Sequence, residues 1–252
     1  MVRLILFVAL FISGPVNAKR KKRARPSVKE QYELGLKYMN RGMYIKALEQ
    51  FNRVRNYHRD DPHSVKAELA IGDVYFKKAE WDQARLSYED FSRMHPRHPD
   101  LDYVIYRIGM TNYKKAPSAA GRDQTYTRHA LNSWTGFNSR FPESTYIPEV
   151  EGLAGECRER LAVKEVWVAR FYKRRAAWAA VERRAANMLS RYPESSHAGA
   201  SIELIGEASA WQGNNKEADM AVEKLAESDP KAAEKLANKL ERIKAKAAKP
   251  GR

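Results

Sequence analysis

A single cysteine, Cys157, in 252 residues excludes a disulfide framework. No apolar run reaches eighteen residues, which excludes a conventional membrane-spanning helix. The chain has no glycine-rich phosphate loop, no nucleophile elbow and no pair of carboxylates in a plausible cleft, so neither an enzyme nor a bound cofactor or metal is expected. Sustained period-two alternation is absent as well, which argues against strands. With 43% hydrophobic and 10% aromatic residues, the chain is also no disordered polymer.

What is abundant is positive charge, a formal +15. Such an excess ordinarily points to nucleic acid or an anionic surface, but its distribution changes that reading. Arg3 contributes one charge, the acid-free stretch Lys19, Arg20, Lys21, Lys22, Arg23, Ala24 and Arg25 six, and the segment from Lys231 onward a net six. Only +2 remains for Pro26 to Pro230, so the body is nearly neutral and no nucleic acid is expected as partner.

Residues 1–18 have the layout of an export signal. Arg3 precedes the nine-residue apolar run Leu4–Ile12, Ser13-Gly14-Pro15 breaks it, and Val16-Asn17-Ala18 offers small residues for cleavage. Residues 19–27 then form a basic linker.

The body repeats. Ser139–Thr145 (SRFPEST) and Ser190–Ser196 (SRYPESS) are near copies 51 residues apart. Pro62, Pro96, Pro142, Pro193 and Pro230 each end a unit, at spacings of 34, 46, 51 and 37. A period of about 34 residues is that of the tetratricopeptide helix–turn–helix. That unit needs a small residue where its helices meet, then an aromatic, an alanine and a second aromatic. Gly35, Tyr38, Ala47 and Phe51 fit, as do Gly72, Tyr75, Ala84 and Tyr88. The third unit has Gly109, Ala130 and Trp134, with a nine-residue excess within Ala116–Tyr126 that reads as a loop. The fourth is degenerate (Ala169, Tyr172, Val181), and the fifth has Gly206 and Ala218 with Ser209 in the aromatic slot.

The expectation is therefore an all-α solenoid of about five tetratricopeptide-like hairpins. Repeats one to three occupy 28–142, repeats four and five 143–230, and a capping helix with a basic tail 231–252. Tyr146–Ala162 is expected to form an extra helix or to lengthen the first helix of repeat four, with Cys157 a small buried apolar residue.

In such arrays the first helix of each hairpin lines a concave surface. Its inward positions are Tyr32, Leu36 and Met39, then Leu69, Asp73, Phe76 and Lys77, then Tyr103, Tyr106, Met110 and Tyr113. An aromatic and methionine-rich wall of this kind suits a peptide with aromatic side chains. The equivalent positions further on are charged: Arg170, Lys173 and Arg174 in repeat four, Glu203 and Glu207 beside Trp211 in repeat five. His58, His63, His95 and His98 flank Pro62 and Pro96 and read as turn residues rather than metal ligands.

Three blocks carry a resemblance to a known family: HPDLDYVIYRIGMTN (His98–Asn112), RDQTYTRHA (Arg122–Ala130) after the insertion, and FYKRRAAWAAV (Phe171–Val181) leading into the RYPESS turn. Over roughly Val28–Leu225 the chain resembles the BamD-type subunit of the outer-membrane β-barrel assembly (Bam) machinery. The resemblance implies a periplasmic scaffold, peripheral at the outer membrane. It would bind the barrel subunit BamA through its C-terminal repeats and receive unfolded outer-membrane protein clients at its N-terminal repeats. It also implies that Trp178, Arg183 and Arg184 lie on the partner-binding repeat, alongside Arg170, Lys173 and Arg174. Family members carry a lipid-bearing cysteine after Ile/Leu-Ser/Ala-Gly/Ala; here Ile12-Ser13-Gly14 is followed by Pro15. A lipid anchor is therefore not expected, and Lys19–Arg25 is a candidate electrostatic tether. Two alternatives share parts of this pattern: a cell-envelope repeat adaptor of the Tol-Pal type, and a basic nucleic-acid-binding repeat protein.

Overall fold

The computed structural model describes residues 26–248. The export signal, the basic stretch Lys19–Arg25 and residues 249–252 lie outside the described residues. Within them are twelve helices and no strand.

Each hairpin begins where the sequence caps a helix. Ser27 caps α1 (Val28–Asn40) in a capping box: its hydroxyl accepts from Glu30 N–H while Glu30 accepts from Ser27 N–H. α2 (Tyr44–Tyr57) returns, and Asp61 then caps α3 (Pro62–Lys77) with Pro62 in the first turn, where its missing N–H costs nothing. α4 (Trp81–Met94), α5 (Leu101–Lys115) and α6 (Thr125–Trp134) complete three repeats. Gly136, at φ 71°, breaks the second helix of repeat three, and one turn continues as α7 (Phe137–Arg140). The extra segment of repeat four is a lengthened helix rather than a separate one: α8 runs 27 residues, Ile147–Lys173, and pairs with α9 (Trp178–Arg191). Repeat five is α10 (Ala198–Trp211) with α11 (Asn215–Ala226); Asp229 and Pro230 then start the cap α12 (Pro230–Ala247). The insertion is a loop of 116–124, with Thr125 and Tyr126 already helical.

Helices touch their chain neighbours and at most the next hairpin, as a solenoid requires. The interior is accordingly split into five apolar clusters strung along the array. The small residues do what the pattern predicts. A Cβ added at Gly35 would lie 2.6 Å from the Phe51 ring, and one at Gly72 2.7 Å from Tyr88; at Gly109 it would overlap Trp134. Glycine lets each first helix settle onto the aromatic of its own second helix. In α12, Leu236, Leu240 and Ile243 are buried against repeat five, the apolar face a capping helix must cover.

Candidate functional site

The inward positions of repeats two and three converge on one side chain that the sequence pattern did not single out, Arg107 of α5. Its guanidinium stands 4.4 Å from the ring centre of Phe76, 5.0 Å from Tyr103 and 5.6 Å from Tyr106. Three aromatic faces on one cation give a rigid, electrostatically favourable cluster. Arg107 Nε donates to Tyr103 Oη (2.9 Å), and Tyr103 Oη donates in turn to Asp73 Oδ1 (2.6 Å). Tyr88 of α4 donates to the same oxygen (2.7 Å). Burial pushes the Asp73 carboxyl above the ordinary aspartate value, against the opposing pull of both hydroxyls and of Arg107. Burial and the Asp73 charge push Tyr88 and Tyr103 upward, so both remain protonated donors.

The wall continues across the repeat boundary. Tyr146, just before α8, stacks on Tyr106 with centroids 4.8 Å apart and planes 10° from parallel. Tyr106 Oη donates to Glu149 Oε1 (2.7 Å), and burial followed by that bond pushes its hydroxyl up to about 12. Further along, the Tyr113 hydroxyl bonds Glu156, and Arg160 donates to it.

The eleven groove positions therefore do not form one open surface. Asp73, Phe76, Tyr103 and Tyr106 come together around Arg107. Tyr32 packs on Phe51 and on the His63 ring in the first cluster, beside Leu36. Met39, Tyr106 and Met110 are buried between hairpins, so their contribution is packing; Leu69 and Tyr113 are half-buried, and Lys77 is exposed. The reason is geometric: at 3.6 residues per turn an inward position near the hairpin seam is reached by the next hairpin before any ligand.

The six C-terminal positions also divide. Lys173 Nζ lies 2.6 Å from Glu207, and Arg184 3.2 Å from Glu165. Trp178 stacks flat on Trp211 at 5.4 Å. Arg170, Arg174 and Arg183 are exposed and form no ion pair among the described residues. A ladder that begins on α8 and ends in the turn after it stands next to them. Trp167, 43% exposed, stacks on Phe171, and the Arg175 guanidinium lies 3.6 Å over Phe171. Lys164 leans over Trp167 and donates to the carbonyls of Gly121 and Arg122, which ties the insertion loop to this face. Trp167, Phe171 and Arg175 sit at i, i+4 and i+8, a spacing that was legible in the sequence.

The histidines are local fittings. His95 Nε2 lies 2.7 Å from Glu68 and His63 Nδ1 2.8 Å from Asp61, while His95 and His98 both pack on Phe91. No cluster of three metal-ligating side chains occurs among the described residues, and no helix there is long and apolar enough to cross a membrane.

Comparison with known proteins adds the family. The sequence pattern of the outer membrane lipoprotein family YfiO matches residues 25–225. The chain is similar to the outer membrane protein assembly factor BamD of Xylella fastidiosa strain 9a5c, 26% identical over 241 residues that cover 91% of this chain and 82% of the relative. It is similar to BamD of Neisseria gonorrhoeae as well, 25% identical over 188 residues, 71% of this chain and 70% of that one. Among solved structures, the TPR2AB domain of yeast Sti1 in its pHSP90 complex aligns with 88% of this chain and 98% of its own, at 14% identity and a TM-score of 0.46.

Proposed function

We propose, because the chain belongs to the outer membrane lipoprotein family YfiO, that it is an assembly factor for outer membrane proteins, acting as a non-enzymatic periplasmic scaffold. Its N-terminal repeats receive aromatic-rich segments of unfolded clients, and its C-terminal repeats hold the barrel subunit BamA. The observation that carries the first assignment is the half-buried pair Phe76 and Tyr103, fixed around Arg107 with the buried Tyr106 behind them. Such a wall is pre-ordered, so a peptide ring that stacks on its outer edge need not order it first. The second assignment is supported by the Trp167–Phe171–Arg175 ladder, exposed at Trp167 and Arg175, beside Arg170 and Arg174, the aromatic and arginine composition favoured in protein interfaces. Lys19–Arg25 acts as an electrostatic tether to an anionic membrane surface, each basic residue contributing about 1 kcal/mol. Retention of the mature protein on anionic vesicles at high salt would rule that tether out.

Two substitutions test the division of labour. Phe76→Ala is expected to weaken an aromatic-ended peptide roughly tenfold, about 1.4 kcal/mol, and to leave recovery of the barrel subunit from cross-linked envelopes intact. Trp167→Ala is expected to do the reverse. Recovery of the wild-type chain without any barrel-assembly subunit would overturn the scaffold assignment itself.

A further inference from the structure

Repeats four and five carry a groove between α9, α10 and α11, lined by none of the side chains of the aromatic wall or the Trp167 ladder. Its volume is about 500 Å³. The floor is apolar, made of Leu189, Ile202, Ile205 and Met220, and Met220 is 55% exposed where a buried thioether would be ordinary. Around that floor stand Glu182, Glu217, Glu223 and Glu227, with Lys224 the sole cation lining it among the described residues.

The rim acids differ from the paired acids of the same half. Glu159, Glu165 and Glu207 each face a histidine, arginine or lysine partner. Glu182, Glu217, Glu223 and Glu227 form no ion pair among the described residues; Glu182 accepts only from the neutral amide of Gln212. Glu223 and Glu227 are also a like-charge i, i+4 pair on α11, an arrangement that mildly opposes its own helix. An uncompensated negative rim on an apolar floor lies within a chain whose net charge is +15.

We propose that this groove docks a cationic amphipathic segment of a partner protein, with apolar side chains in the floor and lysines or arginines against the four carboxylates. Charge complementarity selects that occupant, and the groove lies along the packed helices as a helix-in-groove mode requires. The chain's own basic stretch, Lys19–Arg25, has the charge but offers Ala24 as its sole apolar side chain, too little to fill the floor. An anionic lipid surface would be repelled by the rim.

The test uses the full chain and a fluorescein-labelled peptide of leucine and lysine only, with leucines at helical i, i+3, i+4 spacing, read by anisotropy at low ionic strength. Saturable binding is expected. The triple variant E217Q/E223Q/E227Q should weaken it at least tenfold, and Met220→Lys should weaken it comparably. All four positions are exposed, so circular dichroism should not change and the unfolding midpoint should not fall. The control E33Q/E143Q/E194Q, which removes the same number of exposed carboxylates elsewhere, should bind like wild type. Unchanged affinity in the groove variants, equal loss in the control, or equal binding of the peptide with every lysine replaced by glutamate would each overturn the proposal. So would displacement of the probe by an unlabelled Lys19–Arg25 peptide at equal potency, since the occupant would then be the chain itself.

Discussion

The two halves of the array solve one packing problem in opposite ways. In repeats one to three a glycine on the first helix receives a ring from the second: Gly35 receives Phe51, Gly72 Tyr88 and Gly109 Trp134. Repeats four and five set small against small. Ala169 and Ala185 share one buried cluster, and a Cβ at Gly206 would face the Ala221 methyl at 3.1 Å. The missing bulk in repeat five is supplied from outside the hairpin, by Leu236 and Leu240 of the cap within 3.6 Å of that position. The first half is therefore made of hairpins complete in themselves, whereas the last hairpin depends on the helix that follows it.

The largest expected effect breaks this contrast directly. Gly72→Ala and Gly109→Ala must push a fully packed ring aside, and the gain in helix propensity of about 1 kcal/mol does not offset the overpacking; a net loss of about 2 kcal/mol is expected. At Gly206 the neighbour has to yield by only a few tenths of an ångström, so the propensity gain and the crowding should nearly cancel. Urea unfolding midpoints measure both. Equal losses in the two halves would mean that the ring-on-glycine contact is not what distinguishes them.

Buried charge separates the halves as well. Asp73 is satisfied by two tyrosine hydroxyls and a cation beyond them, Glu207 by Lys173 and Lys239, each 2.6 Å away, on α8 and α12. Glu207→Gln leaves two lysines without their carboxylate and loosens three helices together. Because the lysine side chains are 33% and 50% exposed, the loss should be about 1–2 kcal/mol rather than that of a fully buried pair. Asp73→Asn should cost less and should change the pH dependence. With its carboxyl held above the ordinary value, folded Asp73 binds more protons than the unfolded chain. Stability therefore falls as pH rises from about 4 through the raised value. The Asp73→Asn variant should lack that downward slope, so its deficit relative to wild type shrinks as pH rises through the window. An identical slope in both proteins would place the Asp73 carboxyl at its ordinary value, and an upward slope in wild type alone would place it below.

How much of this was legible beforehand follows from the range of each interaction. Gly35, Gly72 and Gly109, their aromatic partners and the prolines that close each unit follow a spacing set by the hairpin itself, so the repeat count and the cap could be read from the chain alone. Leu236, Leu240 and Ile243 announced a covered face by helical period. Arg107 could not be read that way, because its role arises only when Phe76 of one hairpin and Tyr103 and Tyr106 of the next are brought onto a single cation. For the same reason Met39 and Met110 passed as groove residues until the next hairpin covered them. Glu207 stood out as a charge on an inward face, but nothing local marked the two lysines, 34 residues before it and 32 after, that hold it.

The smallest expected effect asks whether the halves differ in their turns too. Gly42, Ala79, Ala176 and Gly213 occupy the same slot, each with positive φ (72°, 59°, 53° and 79°) and each donating its N–H to the carbonyl three residues back. In this slot each half thus has one glycine and one alanine. Alanine there costs roughly 1 kcal/mol, while glycine forfeits about 0.4–1 kcal/mol by loosening the unfolded chain. Ala79→Gly and Ala176→Gly should each stabilise by no more than about 0.5 kcal/mol, and Gly42→Ala and Gly213→Ala should destabilise by a similar amount. A Cβ at either glycine meets nothing within 4 Å, so the effect is purely one of backbone. Magnitudes that match across the two halves would confine their difference to the packed seam and the buried charges. A larger response in repeats four and five would mean that the cap-dependent hairpin is also strained at its turn.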